Sequence, residues 1–231
     1  YRNGNGTIDT SSGLGDIKSW PNASGADTDG GVDTASDECV IRYVRTNGVA
    51  IRQVSVDGEN HVWVGGAALN GSPTYLDRLA PDGTIVRTIN MRSPADTGET
   101  GTIRCCYGGL VDPAGVLWSA ADTANYLVRI DPSKPNGHAD LVRVIGLGRT
   151  SYGLGIDPDG NIWNSNWTSN FITKVSPAGA ILGGFPTGGP GGDRGVAVTA
   201  EGDGWVANSS GSAVSRLRND GSFITQIGVG A

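Results

Sequence analysis

The sequence predicts an all-β fold, a β-propeller of four-stranded antiparallel blades, and three observations predict it. First, one segment has alternating aliphatic and small residues, then turn-forming residues and then a tryptophan: Tyr152-Gly-Leu-Gly-Ile-Asp-Pro-Asp-Gly-Asn-Ile-Trp163. Second, the pattern recurs, with tryptophans at 63, 118, 163 and 205. Third, each tryptophan precedes another hairpin, so that four strands fill ~40–45 residues, which is the period of a propeller blade.

The turns within this repeat have a physical basis. Proline fixes φ and glycine tolerates positive φ, so Asp157-Pro-Asp-Gly160 predicts a tight turn between two strands. Four-stranded meanders also build β-sandwiches, but the constant phase of tryptophan and turn favours the propeller.

Residues 1–38 do not match a blade and form a predicted Gly/Asp-rich leader, so the predicted propeller domain covers 39–231. Oxygen-bearing side chains at alternate positions, with glycine at the bend, suit Ca²⁺ and resemble the calcium loops of EF-hand and thrombospondin-type repeats. The predicted Ca²⁺ ligands are Asn3, Asn5, Asp9, Asp27, Asp29, Asp33 and Asp37. A solvated linker is the alternative interpretation.

The blades follow in order along the chain. Residues 40–49 match the third strand of a blade and predict a half-blade. Four full blades are predicted at 50–91, 107–146, 151–187 and 193–229. The half-blade needs two more strands to complete it, so we expect a segment of a six- or seven-bladed parent that other segments of the same propeller complete. Closure as five blades with the leader is the minority alternative.

Cysteine and sequon content indicate an extracellular protein. The chain contains three cysteines, Cys39 and the adjacent pair Cys105 and Cys106. In an oxidising compartment Cys39 is expected to pair with one of the two, and buried free thiols are the alternative. Five N-x-S/T sequons fit secretion and lie at Asn5, Asn22, Asn70, Asn166 and Asn208.

Net charge and hydropathy exclude two classes of partner. The formal net charge is −6, and no basic stripe is present to meet phosphates, which argues against nucleic-acid binding. No apolar stretch is long enough to span a membrane. We therefore expect a secreted binding or structural module.

The repeat resembles the blade of virginiamycin B (streptogramin B) lyase-like propellers, with NHL-like and SMP-30-like propellers as more distant relatives. This resemblance covers residues 50–231 and implies a Mg²⁺-assisted lyase site. Its histidines would stand at the start of innermost strands and its glutamate three residues after a blade tryptophan. The corresponding positions here are Arg52, Tyr107, Tyr152 and Arg194 for histidine, and Gly66, Ala121, Asn166 and Asn208 for glutamate. None is histidine or acidic, so a lyase or hydrolase would need catalytic residues from blades outside this segment.

Repeat geometry predicts a site at the mouth of the central channel. Equivalent positions of successive blades are related by rotation about the propeller axis and converge on one ring. The predicted ligand-binding residues are Arg52, Tyr107, Tyr152 and Arg194, with Asn166, Trp167 and Asn208 beside them. Guanidinium, phenol and indole groups of this kind bind carboxylates and stack on sugars, which predicts a glycan or protein ligand. A solvated polar rim is the alternative.

Overall fold

A computed structural model describes residues 44–66, 74–101, 103–121 and 124–230. Within these residues, sixteen strands form four separate four-stranded antiparallel sheets, each a simple meander in chain order. The predicted propeller of four-stranded blades is confirmed. The blades belong to one compact unit, Asn47–Ala231. The leader and its boundary with the propeller lie outside the described residues, so this domain division stays a prediction.

The strand bounds follow the predicted blades closely. Blade 1 contains β1 (Ile51–Val56), β2 (Val62–Gly66), β3 (Tyr75–Leu79) and β4 (Ile85–Asn90). Blade 2 contains β5 (Gly108–Val111), β6 (Leu117–Ala120), β7 (Tyr126–Ile130) and β8 (Val142–Gly146). Blade 3 contains β9 (Ser151–Ile156), β10 (Ile162–Asn166), β11 (Phe171–Val175) and β12 (Ile181–Pro186). Blade 4 contains β13 (Asp193–Val198), β14 (Gly204–Asn208), β15 (Ala213–Leu217) and β16 (Phe223–Gly228).

Two short helical segments interrupt the strands. A one-turn helix, α1 (Pro94–Thr97), lies in the connection between blades 1 and 2, and a 3₁₀ turn covers Ser209–Gly211. No helix in the described ranges has the length and apolar character that a membrane crossing requires.

The described part of the predicted half-blade, residues 44–49, contains no strand. Asn47 instead donates hydrogen bonds to Asp77 of β3, from its main-chain nitrogen over 2.7 Å and from its side-chain nitrogen over 2.9 Å. These bonds satisfy the fully buried Asp77 carboxylate. The segment is thus held by hydrogen bonds to the Asp77 side chain rather than by strand pairing.

In the part of the chain that the structure describes, the hydrophobic core consists of three clusters, one between each pair of neighbouring blades. Each cluster is centred on a fully buried tryptophan of the second strand: Trp63, Trp118 or Trp163. A cationic side chain of the third strand lies in register opposite each blade tryptophan: Arg78, Arg129, Lys174 and Arg216. A tryptophan buried against the next blade explains why the repeat keeps this residue in constant phase.

Candidate functional site

The predicted ring residues lie where the innermost strands are irregular. The register of β1 with β2 shifts at Arg52. In β9 and β13 the register also shifts, and the unpaired stretches contain Tyr152 and Arg194. Tyr107 immediately precedes β5, and its main-chain nitrogen donates to Ala120. A β-bulge takes a side chain out of the regular alternation along a strand. The side chains of Arg52, Tyr152 and Arg194 are therefore not held between the blades.

These side chains form a continuous cluster, which we call the mouth cluster: Arg52, Tyr107, Tyr152, Trp167 and Arg194. Arg52 Nη1 donates to Tyr107 Oη over 3.0 Å, and the two phenol oxygens of Tyr107 and Tyr152 are 2.7 Å apart. The ring centroids of Tyr152 and Trp167 are 4.6 Å apart, and Arg194 Cζ lies 4.2 Å from the Trp167 ring centroid. The structure thus brings together the four predicted ring residues and Trp167.

The mouth cluster presents aromatic faces between two cationic ends. Arg52, Trp167 and Arg194 are exposed, whereas the two tyrosines are half-buried. Among the described residues, neither arginine of the cluster has a carboxylate partner, in a chain whose formal net charge is −6. Two uncompensated guanidinium groups beside stacked rings can bind an anionic ligand that also presents a flat face.

Tyr152 serves this cluster as a neutral phenol. Burial and, to a lesser extent, the hydrogen bond with Tyr107 together raise the pKa of Tyr152 to about 12. The phenol therefore keeps its proton at neutral pH. It can donate or accept a hydrogen bond, but it does not act as a base there.

Asn166 and Asn208 are not part of the mouth cluster. Both are buried, and their amides are bonded inside the blades. Asn166 Nδ2 donates to the Thr150 carbonyl oxygen over 3.3 Å, and Asn208 Nδ2 donates to Asp193 Oδ1 over 2.6 Å. Their burial also removes the sequons at these two positions as glycosylation acceptors of the folded protein. The sequence predicts that they lie in loops after the second strands, but they are the last residues of β10 and β14, and their side chains face inward.

Ser165 is a positioning residue that the sequence analysis missed. Its hydroxyl accepts from the Gly153 main-chain nitrogen over 2.8 Å and donates to the carbonyl oxygen of Arg194. One buried hydroxyl therefore ties the irregular start of β9 to that of β13. No sequence signal distinguishes Ser165 from Ser119, the other serine of the four second strands.

The predicted metal and disulfide sites have different outcomes. The seven predicted Ca²⁺ ligands lie outside the described residues, and in the described ranges no group of three or more His, Cys, Asp or Glu side chains could hold a metal ion. Cys105 and Cys106 are bonded to each other, with Cα atoms 3.7 Å apart. The predicted bond from either of them to Cys39 is therefore wrong in this structure, because both sulfurs are already used in the bond between Cys105 and Cys106. Cys39 itself lies outside the described residues.

Comparisons with solved structures agree with this architecture. No family model matches the chain, and no curated protein does. A streptogramin B lyase structure matches with a TM-score of 0.63 and 14% identity, over 80% of this chain and 56% of that chain. A catalytically inactive virginiamycin B lyase from Staphylococcus aureus, solved with quinupristin, matches with a TM-score of 0.64 and 19% identity, over 82% of this chain and 59% of that chain.

A third similar structure is a gluconolactonase from Xanthomonas campestris. It matches with a TM-score of 0.55 and 16% identity, over 77% of this chain and 62% of that chain. The chain thus spans less than two thirds of the length of each of these three proteins. At these identities the likeness concerns architecture alone. The chain has a streptogramin lyase-like β-propeller fold.

Proposed function

We propose that the four blades form a secreted binding module that recognises an acidic glycan through the mouth cluster. One observation carries this proposal: the unbroken series of contacts from Arg52 through Tyr107, Tyr152 and Trp167 to Arg194. Its aromatic faces suit the apolar faces of sugar rings, and its guanidinium groups suit carboxylates. Ca²⁺ binding by the leader remains part of the expectation for a secreted protein.

The two histidines do not belong to this cluster. His61 Nδ1 lies 3.7 Å from Asp57 Oδ1 in the turn before Trp63, and His138 Nδ1 lies 3.9 Å from Asp140 Oδ2 in an outer turn. The cluster itself offers arginine, a high-pKa phenol and indole. Because none of these is an effective base at neutral pH, binding is favoured over acid–base catalysis at this position.

A lyase or hydrolase is the second candidate, and the similarity to two lyase structures favours it. Because the positions of these four blades that correspond to the lyase histidines and glutamate are neither histidine nor acidic, catalytic groups would have to come from other blades. This chain spans 56% and 59% of those two proteins. A protein ligand at the mouth cluster is a third candidate, which is tested if titration finds no glycan binding.

The test uses isothermal titration of the full chain with uronic-acid oligosaccharides and with neutral oligosaccharides of equal length. Arg194→Ala is expected to weaken binding of the acidic ligand about tenfold or more, because it removes a charge-assisted contact. Its free energy of unfolding should change by less than ~1 kcal/mol, as at other exposed positions.

Arg143→Ala is the matched control, since Arg143 is an exposed arginine on the outer strand β8. Equal affinities of the two variants would place the site elsewhere. If no acidic glycan binds to the wild type at millimolar concentration, the glycan proposal is wrong, and protein partners or an enzymatic role are tested next.

A further inference from the structure

A second arginine–aromatic pair lies beside the mouth cluster on blade 3. Arg149 Cζ lies 4.0 Å from the centroid of the Phe171 ring, much as Arg194 Cζ lies 4.2 Å from that of Trp167. Both rings belong to the connection between β10 and β11, because Trp167 follows the last residue of β10 and Phe171 is the first residue of β11. One connection thus carries two rings, each with a guanidinium group over it. We call Arg149 and Phe171 the outer pair.

The outer pair is joined to the mouth cluster by hydrogen bonds. The hydroxyl oxygens of Thr150 and Thr168 are 2.8 Å apart, and the Thr168 main-chain nitrogen donates to Thr150 Oγ1 over 3.1 Å. Thr150 follows Arg149 and Thr168 follows Trp167, so these bonds hold the two arginine–aromatic pairs side by side. The first strands of neighbouring blades contact one another around the axis, so Phe171, at the start of a third strand, lies farther from the axis than Trp167.

The guanidinium group of Arg149 is available to a ligand. Arg149 is exposed, and its side chain has no hydrogen bond or carboxylate partner among the residues that the structure describes. By contrast, Arg78 and Arg216, which also lie over tryptophan rings, are both bonded to carboxylates. A guanidinium group over an aromatic ring keeps its N–H donors, and with no partner these can bind a carboxylate through two parallel bonds.

Blade 3 separates its charges between its two ends. Its only acidic residues are Asp157 and Asp159, and both lie in the turn between β9 and β10. That turn and the β10–β11 connection lie at opposite ends of β10, because consecutive strands of the meander are antiparallel. At the end that carries Arg149 and Arg194, the Asp193 carboxylate of blade 4 is fully buried. The exposed charge at this end of blade 3 is therefore positive and attracts anionic groups.

We propose that the outer pair is a second subsite of the same binding surface and that the ligand is an oligosaccharide with several uronic-acid residues. One carboxylate binds at Arg194 and another at Arg149, so that the sugar chain runs outward along blade 3 from Trp167 toward Phe171. This inference rests on the proposed glycan function and adds that ligand length determines affinity. A sugar is favoured over an acidic peptide, because the exposed Trp167 ring offers a flat face on which a sugar ring stacks.

The test titrates the full 231-residue chain with a galacturonate disaccharide and with a galacturonate hexasaccharide in a calorimeter. The disaccharide is expected to occupy the mouth cluster alone, whereas the hexasaccharide reaches both subsites. Arg149→Ala should weaken hexasaccharide binding about tenfold and leave disaccharide binding within about twofold of the wild type, because it removes a charge-assisted contact that only the longer ligand makes. Arg143→Ala, at an exposed arginine on the outer strand β8, should change neither affinity.

The two ligands separate this inference from the proposed function. Hexasaccharide binding that depends on Arg194 but not on Arg149 overturns the outer subsite and leaves the proposed function standing. A matching loss of disaccharide binding in Arg149→Ala also overturns it, because Arg149 would then act by positioning the mouth cluster. Failure of both sugars to bind the wild type contradicts both proposals. A hexaglutamate peptide that binds as tightly as the hexasaccharide, with the same dependence on Arg149, would make an acidic protein segment the ligand instead.

Discussion

At the scale of single residues, the Asp157 carboxylate shows how a blade is held together. It lies in the turn after β9 and accepts from Trp163 Nε1 over 3.2 Å and from Lys174 Nζ over 2.8 Å. Asp57 and Asp112 bind Trp63 and Trp118 in the same way, each six residues before its tryptophan. One buried carboxylate thus joins the turn, the second strand and, through a cation, the third strand.

Asp157→Asn is expected to destabilise the protein by ~3 kcal/mol at pH 7, because it leaves the buried Lys174 ammonium without its counter-charge. Burial raises the pKa of Asp157, but hydrogen bonds from Lys174 and Asn161 outweigh burial and lower it overall. The contribution is therefore present above the ordinary value of 3.8 and is lost as pH falls through the lowered folded-state pKa. Urea unfolding of both proteins at pH 7 and pH 3 measures this.

The control for this prediction is Asp159→Asn, an exposed carboxylate in the same turn that should change stability by less than ~0.5 kcal/mol. Equal losses at the two positions would contradict the role assigned to Asp157.

At the scale of elements, the irregular starts of the innermost strands position the mouth cluster. Gly153 follows Tyr152 in the unpaired stretch of β9, and a Cβ at this position would overlap the carbonyl oxygen of Arg194. The two strands approach so closely here that only glycine fits. The close approach sets the spacing between Tyr152 and Arg194.

Gly153→Ala is expected to cost ~2–3 kcal/mol of stability, because the added methyl group forces β9 and β13 apart. The same displacement should weaken binding of the acidic oligosaccharide. Gly146→Ala is the control, since a Cβ at Gly146 meets no atom within 4 Å. Denaturant unfolding measures stability, and calorimetric titration measures binding. A Gly153→Ala variant as stable as Gly146→Ala would show that the close approach does not constrain these strands.

At the scale of the whole molecule, stability is distributed over repeated blade interfaces and repeated carboxylate sites. Burial raises the pKa of Asp57, but the hydrogen bonds from Arg78 and from the main chain of His61 and Glu59, together with the Arg78 charge, lower it overall. The hydrogen bonds from Ser133 lower the pKa of Asp131. Asp193 differs, because burial raises its pKa and its described partners are the uncharged Asn208 and Thr187. The balance of these carboxylates decides how the protein responds to acid.

We expect acid to destabilise the protein, because Asp57, Asp131 and Asp157 all have a lowered pKa and, among the carboxylates of the described residues, only Asp193 has a raised one. Their stabilisation is complete above 3.8 and disappears as pH falls through the lowered values. Asp193 acts in the other direction, since its contribution is present below 3.8 and is lost as pH rises through its raised pKa.

A net loss of about 2 kcal/mol would lower Tm by about 4–8 °C, and calorimetry between pH 7 and pH 2.5 measures this. A Tm that rises on acidification would mean that the buried Asp193 outweighs the other three carboxylates.

The sequence by itself determined the blades and the ring positions. Both are periodic features: tryptophan and turn recur in constant phase, so the strands of each meander and the equivalence of Arg52, Tyr107, Tyr152 and Arg194 follow from counting along the chain. The meeting of these four side chains also follows, since repetition about an axis brings equivalent positions together.

Only the tertiary structure decided which neighbouring side chains face outward and which bonds form across the chain. Trp167 is exposed whereas Asn166, one residue before it, is buried, because Asn166 is the last residue of β10 and its amide is hydrogen-bonded inside the protein, while Trp167 lies in the turn that follows. The bond between Cys105 and Cys106 excluded the expected partner Cys39, since the choice depends on local backbone geometry. Ser165 holds Arg194 across 29 residues of sequence, and such a contact has no periodic signal. A periodic pattern can be read from the sequence alone, but the direction of a single side chain depends on what packs against it in the folded protein.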